Sequence, residues 1–194
     1  MRAKLGEICT FQSGGTPPKN DLSYYGGSIP WITTVSLNGG YIDTENAVEM
    51  ITEKAIIETS AKIVPANSIL VGTRVGIGKV AINTTPMSTS QDIIALVNID
   101  DTKWDKDYLC KLILGNNHHL CSQARGATIK GIKIDTLANI IIPQINIEEQ
   151  KQIASILNRI TALIALRKKQ LEKLDELVKS REVARHAQRE EVAA

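Results

Sequence analysis

Long apolar runs are missing from these 194 residues: stretches such as IIALV and IIIP span only a few positions, although 43% of the chain is hydrophobic. A helical bilayer crossing needs about 20 consecutive apolar residues, so no membrane partner is expected. The opening MRAKLGEICT lacks an apolar core followed by a small-residue cleavage site, which excludes a secretory signal there and points to a cytoplasmic protein. Cysteine is scarce and odd in number. Cys9, Cys110 and Cys121 have neither the pairing of a disulfide framework nor metal-ligand spacing, and fit reduced thiols. The net charge of +2 is too small to announce nucleic-acid binding. Its distribution says more. Acids are absent from 59–91, which holds Lys62, Arg74 and Lys79, and from 108–134, which holds Lys111, Arg125, Lys130 and Lys133. If both windows fold onto one face, a basic patch able to follow phosphates results; otherwise these are ordinary solvated charges.

Proline and glycine are absent from 144–194, and this absence divides the chain. Residues 144–194 are rich in Glu, Gln, Lys, Arg, Leu and Ile, a composition that predicts one long helix, with a polar end beyond Ser180 expected to fray. Residues 1–143 hold short β-type runs (IPWITTV, SILVGTRVGIGKVAI, DIIALVNI, ANIIIP) between Gly, Pro and Asn clusters, with one helix predicted at WDKDYLCKLILGNNHHL. The expected fold class is therefore α+β: a mixed-sheet domain over 1–143 followed by a long amphipathic helix over 144–194. On that helix Ile153, Leu157, Ile160, Ile164, Leu171, Leu174 and Val178 follow a three-four spacing, interrupted at Arg167. A domain this size cannot cover so long a stripe, and no second long amphipathic helix precedes it. The seven residues are therefore candidate dimerisation positions in a coiled coil, with a homodimer or another subunit as the partner.

Catalytic constellations are also lacking. VGTRVGIGKVA approaches a phosphate loop but has Thr73 where glycine is required and Val80 where Ser or Thr must stand. There is no strand-linked G-x-G-x-x-G and no G-x-S-x-G. His118, His119 and Cys121 cluster without a second ligand pair. Asp92, Asp101 and Lys103 form a D-x8-D-T-K pattern that could mimic the two acids and lysine holding Mg²⁺ in some nucleases, yet Asp101 and Lys103 lie in a polar connection where such residues serve solubility. Neither catalytic nor metal-binding residues are assigned, and a binding role is preferred. The stretch GGTPPKNDLSYYGGSIPW (14–31) reads as an ordered surface loop, bent by glycine and stiffened by proline. Tyr24, Tyr25 and Trp31 are placed to pin it to the core, as scaffold for its neighbours.

Taken together, three segments carry a resemblance. GGTPPKNDLSYYGGSIPW followed by ITTVSLNGGYI is similar to the start of the target-recognition domain of type I restriction-modification specificity subunits. GATIKGIKIDTLANIIIPQINIEEQKQIASIL resembles its closing part and the spacer helix, and GTRVGIGKVAI and MSTSQDIIALV fit the strands between. The likeness runs from Leu5 to about Arg181. It implies a non-catalytic subunit that reads one half of an interrupted site in double-stranded DNA. Such a subunit scaffolds DNA methyltransferase subunits, which carry S-adenosylmethionine and methylate adenine; this chain itself then needs no cofactor. Restriction and translocation subunits can join. Full subunits of the family hold two recognition domains and two spacer helices, whereas this sequence holds one of each, implying a half-length subunit that dimerises, or a fragment. The alternative is an assembly module that binds protein through its helix and no DNA.

Under this resemblance the candidate DNA contacts come from loops: Thr33, Thr34 and Ser36; Arg74 and Lys79; Ser88, Thr89, Ser90 and Gln91; Arg125, Thr128, Lys130 and Lys133. Arg74 and Arg125 suit guanine, Gln91 suits adenine and the lysines suit phosphates. Turn hydroxyls, in contrast, often satisfy their own backbone.

Overall fold

A computed structural model describes residues 2–126 and 130–193, with side chains described through residue 181. In chain order the elements are β1 (Arg2–Lys4), β2 (Thr10–Ser13), β3 (Tyr25–Ile32), β4 (Tyr41–Ile42), β5 (Glu49–Ile51), α1 (Glu53–Glu58), β6 (Ile63–Val64), β7 (Ile69–Gly72), β8 (Val80–Asn83), β9 (Met87–Thr89) and β10 (Ile93–Val97). There follow α2 (Lys106–Gly115), α3 (Asn117–Ser122), α4 (Ile134–Ala138), β11 (Ile141–Pro143) and α5 (Ile147–Ala193). Short 3₁₀ turns lie at Leu5–Glu7, Leu22–Tyr24 and Thr44–Asn46. The class is α+β, a mixed-sheet domain followed by a long helix. Contacts divide the chain into two units, one ending at Lys151 and the other beginning at Gln152.

In the first unit a five-stranded sheet runs β2-β10-β7-β8-β4 and a four-stranded one β5-β3-β9-β6, while β1 and β11 pair separately. Every residue of β7 and β10 is buried. Such strands read as unbroken apolar runs, which is why ILV and IIALV were visible in sequence. Side chains from both larger sheets, including Ile32, Val64, Leu70, Met87, Ile93 and Ala95, share one core. Trp31, Ile51, Ala55 and Ala61 form a second cluster.

The stretch 14–31 is loop only in its first half. From Tyr25 onward it enters β3, antiparallel to β5 and parallel to β9. Two features reconcile its composition with a strand. The register shifts between Tyr25 and Ile29, a bulge holding Gly26 at φ +77°. Pairing with β9 begins only at Trp31, so the N–H that Pro30 lacks is not required on that side. Tyr25 Oη donates to the Pro17 carbonyl at 2.7 Å, and Trp31 Nε1 donates to the Gly15 carbonyl at 3.1 Å. Gly14 N–H donates to Ile93 O and Gly15 N–H to Thr89 O, at 3.1 and 2.8 Å. A Cβ on Gly14 would lie 2.2 Å from Ser90 O, so only glycine fits.

The single helix expected at 104–120 is divided. Asp105 caps α2 by accepting from Tyr108 N–H at 2.8 Å, and the chain breaks at Asn116 (φ −88°, ψ 4°) before α3. Gln150, in the first turn of α5, is fully buried. Its Oε1 accepts from Asp105 N–H at 2.9 Å, and its Nε2 donates to Lys103 O at 2.8 Å and Ile145 O at 3.0 Å. No helix among the described residues is long and apolar enough to cross a membrane.

Candidate nucleic-acid interface

The turn between β7 and β8 is the centre of the candidate site. Gly72 N–H donates to Lys79 O at 2.9 Å and Gly78 N–H to Gly72 O at 2.9 Å, closing the turn on itself, with Gly76 and Gly78 at φ +68° and +75°. Thr73 is riveted from two sides: its N–H donates to Asp92 O at 2.8 Å, its Oγ1 to the same oxygen at 3.1 Å, and its carbonyl accepts from Ile132 N–H at 2.8 Å. Asn117 Nδ2 props the far side through Ile77 O at 2.7 Å. The glycine-bearing segment is a β-hairpin turn in which the N–H groups of Gly72, Gly78 and Lys79 are bonded within the turn and that of Thr73 to Asp92 O.

Arg74 leaves this turn exposed, with its Cγ where a Cβ on Gly131 would stand at 3.0 Å, and its Nη1 3.7 Å from Asp92 Oδ1. Arg125 and Gly131 exchange backbone hydrogen bonds at 2.9 and 3.0 Å, forming an isolated bridge that returns the chain to the hairpin. Arg74, Arg125 and Lys133 thereby line one cavity of about 540 Å³, with Gln123 and Thr136 at its wall. Residues from both acid-free windows meet here. The patch expected if the windows folded together exists, and it joins residues about 50 positions apart in the chain. Lys79 and Lys130 are exposed beside it in chain order, and Gln91 is exposed next to Asp92. Thr128 lies outside the described residues.

The hydroxyls are placed differently. Thr34, Ser88, Thr89 and Ser90 are buried, at 5, 0, 0 and 4% exposure. Ser88 and Thr89 belong to β9, flanked by β3 and β6, and at that depth a hydroxyl cannot reach a base edge with the loops as they stand. The Oγ atoms of Ser88, Thr89 and Ser90 have no hydrogen-bond partner among the described residues. Ser36 is half-buried and donates to Asn46 O at 2.8 Å, while Thr33, also half-buried, accepts from Ser36 N–H at 3.1 Å in the same turn. Of these residues Thr34 reaches the hairpin, its Cγ2 sitting 3.5 Å from where a Cβ on Gly72 would be. Sequence reasoning missed Gln123 and Thr136. Gln123 lies inside the second acid-free window, two residues before Arg125, which was a usable signal.

The D-x8-D-T-K pattern is spread over the fold. Asp92 and Asp101 lie beyond opposite ends of β10, roughly 17 Å of strand at 3.3 Å per residue. Each acid has a different cation: Arg74 for Asp92 and Lys106 for Asp101, while Lys103 pairs with Asp100 at 3.0 Å. Three groups so separated cannot share one Mg²⁺.

In the second unit the apolar stripe of α5 is open. Ile153, Leu157, Ile160 and Ile164 are 39, 38, 47 and 52% exposed, and Leu171, Leu174 and Val178 are 61, 56 and 56% exposed. At 1.5 Å per residue, 47 helical residues extend about 70 Å. The backbone is helical through Ala193, against the fraying expected beyond Ser180, and the side chains from residue 182 onward lie outside the described residues.

A mixed-sheet domain carrying a basic loop cavity is followed along the chain by a long helix with an open apolar stripe. The sequence profile of the family described as "Type I restriction modification DNA specificity domain" matches residues 1–176, and the chain belongs to this family. It is 34% identical over 175 residues to the type I restriction enzyme MjaIX specificity subunit of Methanocaldococcus jannaschii, covering 90% of this chain and 40% of that protein. It is 32% identical over 164 residues to the EcoR124I/EcoR124II specificity subunit of Escherichia coli, covering 82% and 40%. The chain thus spans about two fifths of the length of these relatives. Its fold is similar to that of the HsdS subunit from Thermoanaerobacter tengcongensis (TM-score 0.65, 20% identity, 87% of this chain and 39% of that one). A chain solved in work on the assembly and conformational transition of the type I R-M system gives a TM-score of 0.69 at 21% identity, covering 92% and 43%.

Proposed function

We propose that this chain reads one half of a bipartite site in double-stranded DNA as the non-catalytic specificity subunit of a type I restriction-modification methyltransferase. The observation that carries the reading is the cavity where Arg74, Arg125 and Lys133 converge, within a chain of the DNA specificity family. Phosphates are met by Lys79, Arg125, Lys130 and Lys133, which orient the domain; base edges are met by the Arg74 fork and Gln91. S-adenosylmethionine belongs to the methyltransferase subunits, which methylate adenine in the site and dock on this frame in the cytoplasm; restriction and translocation subunits join the same assembly. The apolar stripe of α5 pairs with that of a second copy, and two-fold symmetry then presents two recognition domains to inverted half-sites.

The test is the salt dependence of duplex binding by the full chain in complex with its methyltransferase subunits, alongside a map of the adenines that complex methylates. With about four cations engaged by each of the two paired recognition domains, log K falls against log salt with a slope of about −7 or steeper. A slope near zero turns the reading toward a purely protein-binding module. A palindromic, interrupted methylation motif is expected, and two unrelated half-sites would refute pairing through identical copies.

A further inference from the structure

Within the basic cavity the cations are not equivalent. Arg125, Lys130 and Lys133 have no ion-pair partner among the described residues, whereas Arg74 faces the carboxylate of Asp92 at 3.7 Å. An acid on a surface that meets phosphates repels them and lowers affinity, so its position beside the best-anchored cation needs a compensating role. The backbone immediately before Arg74 is fixed from two sides. Thr73 is bonded to Asp92 on one side and Ile132 on the other, and the stem of Arg74 runs over Gly131, where any Cβ would press on its Cγ at 3.0 Å. Arg74 thus follows a backbone position fixed from two sides, with its stem close to Gly131 and its tip facing the Asp92 carboxylate. An arginine that only neutralises phosphate needs none of this, because a point charge works from many positions. A bidentate contact to one base edge needs all of it.

We propose that Arg74 is the specificity-determining residue of the site, reading a guanine through its N7 and O6, and that Asp92 is its positioning residue. Asp92 steadies the guanidinium before DNA arrives and partly cancels its charge, so Arg74 contributes discrimination while the partnerless cations contribute affinity. This rests on the DNA-reading function proposed above. It assigns the remaining cations to the backbone, Gly131 to clearance for the arginine stem, and Asp92 to a role opposite in sign from its neighbours.

The experiment is selection from a duplex library with a randomised centre, using the full chain assembled with its methyltransferase subunits and sequencing what is retained. The wild-type protein selects a half-site containing a guanine that Arg74→Lys no longer distinguishes. Preference at that position falls on the order of tenfold to a hundredfold, the span of a good bidentate contact, while the salt slope is unchanged because the charge remains. Asp92→Asn loses preference at the same position but binds unrelated duplex as tightly as wild type or more tightly. Arg125→Ala weakens all sequences alike. A selected motif that survives Arg74→Lys intact overturns the assignment of Arg74 and leaves the DNA-reading function standing. Full discrimination with weakened overall binding in Asp92→Asn overturns the positioning role. A wild-type complex that retains no preferred sequence overturns the parent reading and this one together.

Discussion

Replacing Gln150 by alanine tests the account of how the first turn of the long helix is tied to the loop ahead of α2. The amide is fully buried and makes three hydrogen bonds, from Asp105 N–H at 2.9 Å and to Lys103 O and Ile145 O at 2.8 and 3.0 Å. Each is worth about 1 kcal/mol net, giving roughly 3 kcal/mol, and the better helix propensity of alanine returns only a few tenths. Three kcal/mol is about a hundredfold in the unfolding equilibrium. With a urea slope of about 2 kcal/mol/M the midpoint drops by roughly 1.5 M. Trp104 lies between Lys103 and Asp105 and is 5% exposed, so its fluorescence follows the transition from inside the affected loop. Gln152→Ala, on the exposed surface of the same helix, shifts stability by less than about 0.5 kcal/mol. A Gln150→Ala protein within about 1 kcal/mol of wild type would refute the argument, because the three backbone groups would then be rehydrated at almost no cost.

Two further outcomes follow from exposure. Ile160→Glu with Ile164→Glu puts two charges in the centre of the stripe, and sedimentation at micromolar concentration should show a dimer for wild type and a monomer for the double variant; a double variant that stays dimeric refutes pairing through this face. Among the thiols, Cys121 is exposed, Cys110 is buried and Cys9 is half-buried. Burial pushes the Cys9 thiol up to about 12 and raises that of Cys110 as well, so both stay protonated and unreactive at pH 8. Native protein should take up one equivalent of a thiol reagent quickly and three after denaturation. Rapid reaction of all three in native protein would contradict the packing around Leu5 O, to which Cys9 Sγ donates at 3.2 Å.

What could be read ahead of the structure were features whose signal is local and repeated. The buried strands β7 and β10 announce themselves as apolar runs, and the missing glycine and proline after Pro143 announce α5. Two- and three-residue strands leave no such trace. β4 and β6 are too short to show alternation, and α1 depends on one Thr52 cap, whose Oγ1 accepts from Ala55 N–H at 3.3 Å. In the site the basic residues were legible because acids avoid their windows. The hydroxyls at 88–90 have the composition of a turn but are drawn inside by β3 and β6, and neither strand pairing can be inferred from the residues themselves.

Gly14 joins the two levels. It is the hinge between β2 and the opening loop, its N–H is held by Ile93 O, and the space a side chain would fill is taken by Ser90 O at 2.2 Å and Thr89 Oγ1 at 2.3 Å. Ser90 in turn donates its N–H to Ile32 O at 2.9 Å and accepts from Ile93 N–H at 3.0 Å, one residue beyond the Asp92 that faces Arg74. The proline- and tyrosine-rich loop is therefore pinned against the segment that sets the position of Asp92, although it contributes no cation to the cavity. Its composition serves rigidity: the loop cannot shift without moving the 89–93 segment, and that segment cannot shift without moving the carboxylate that steadies Arg74.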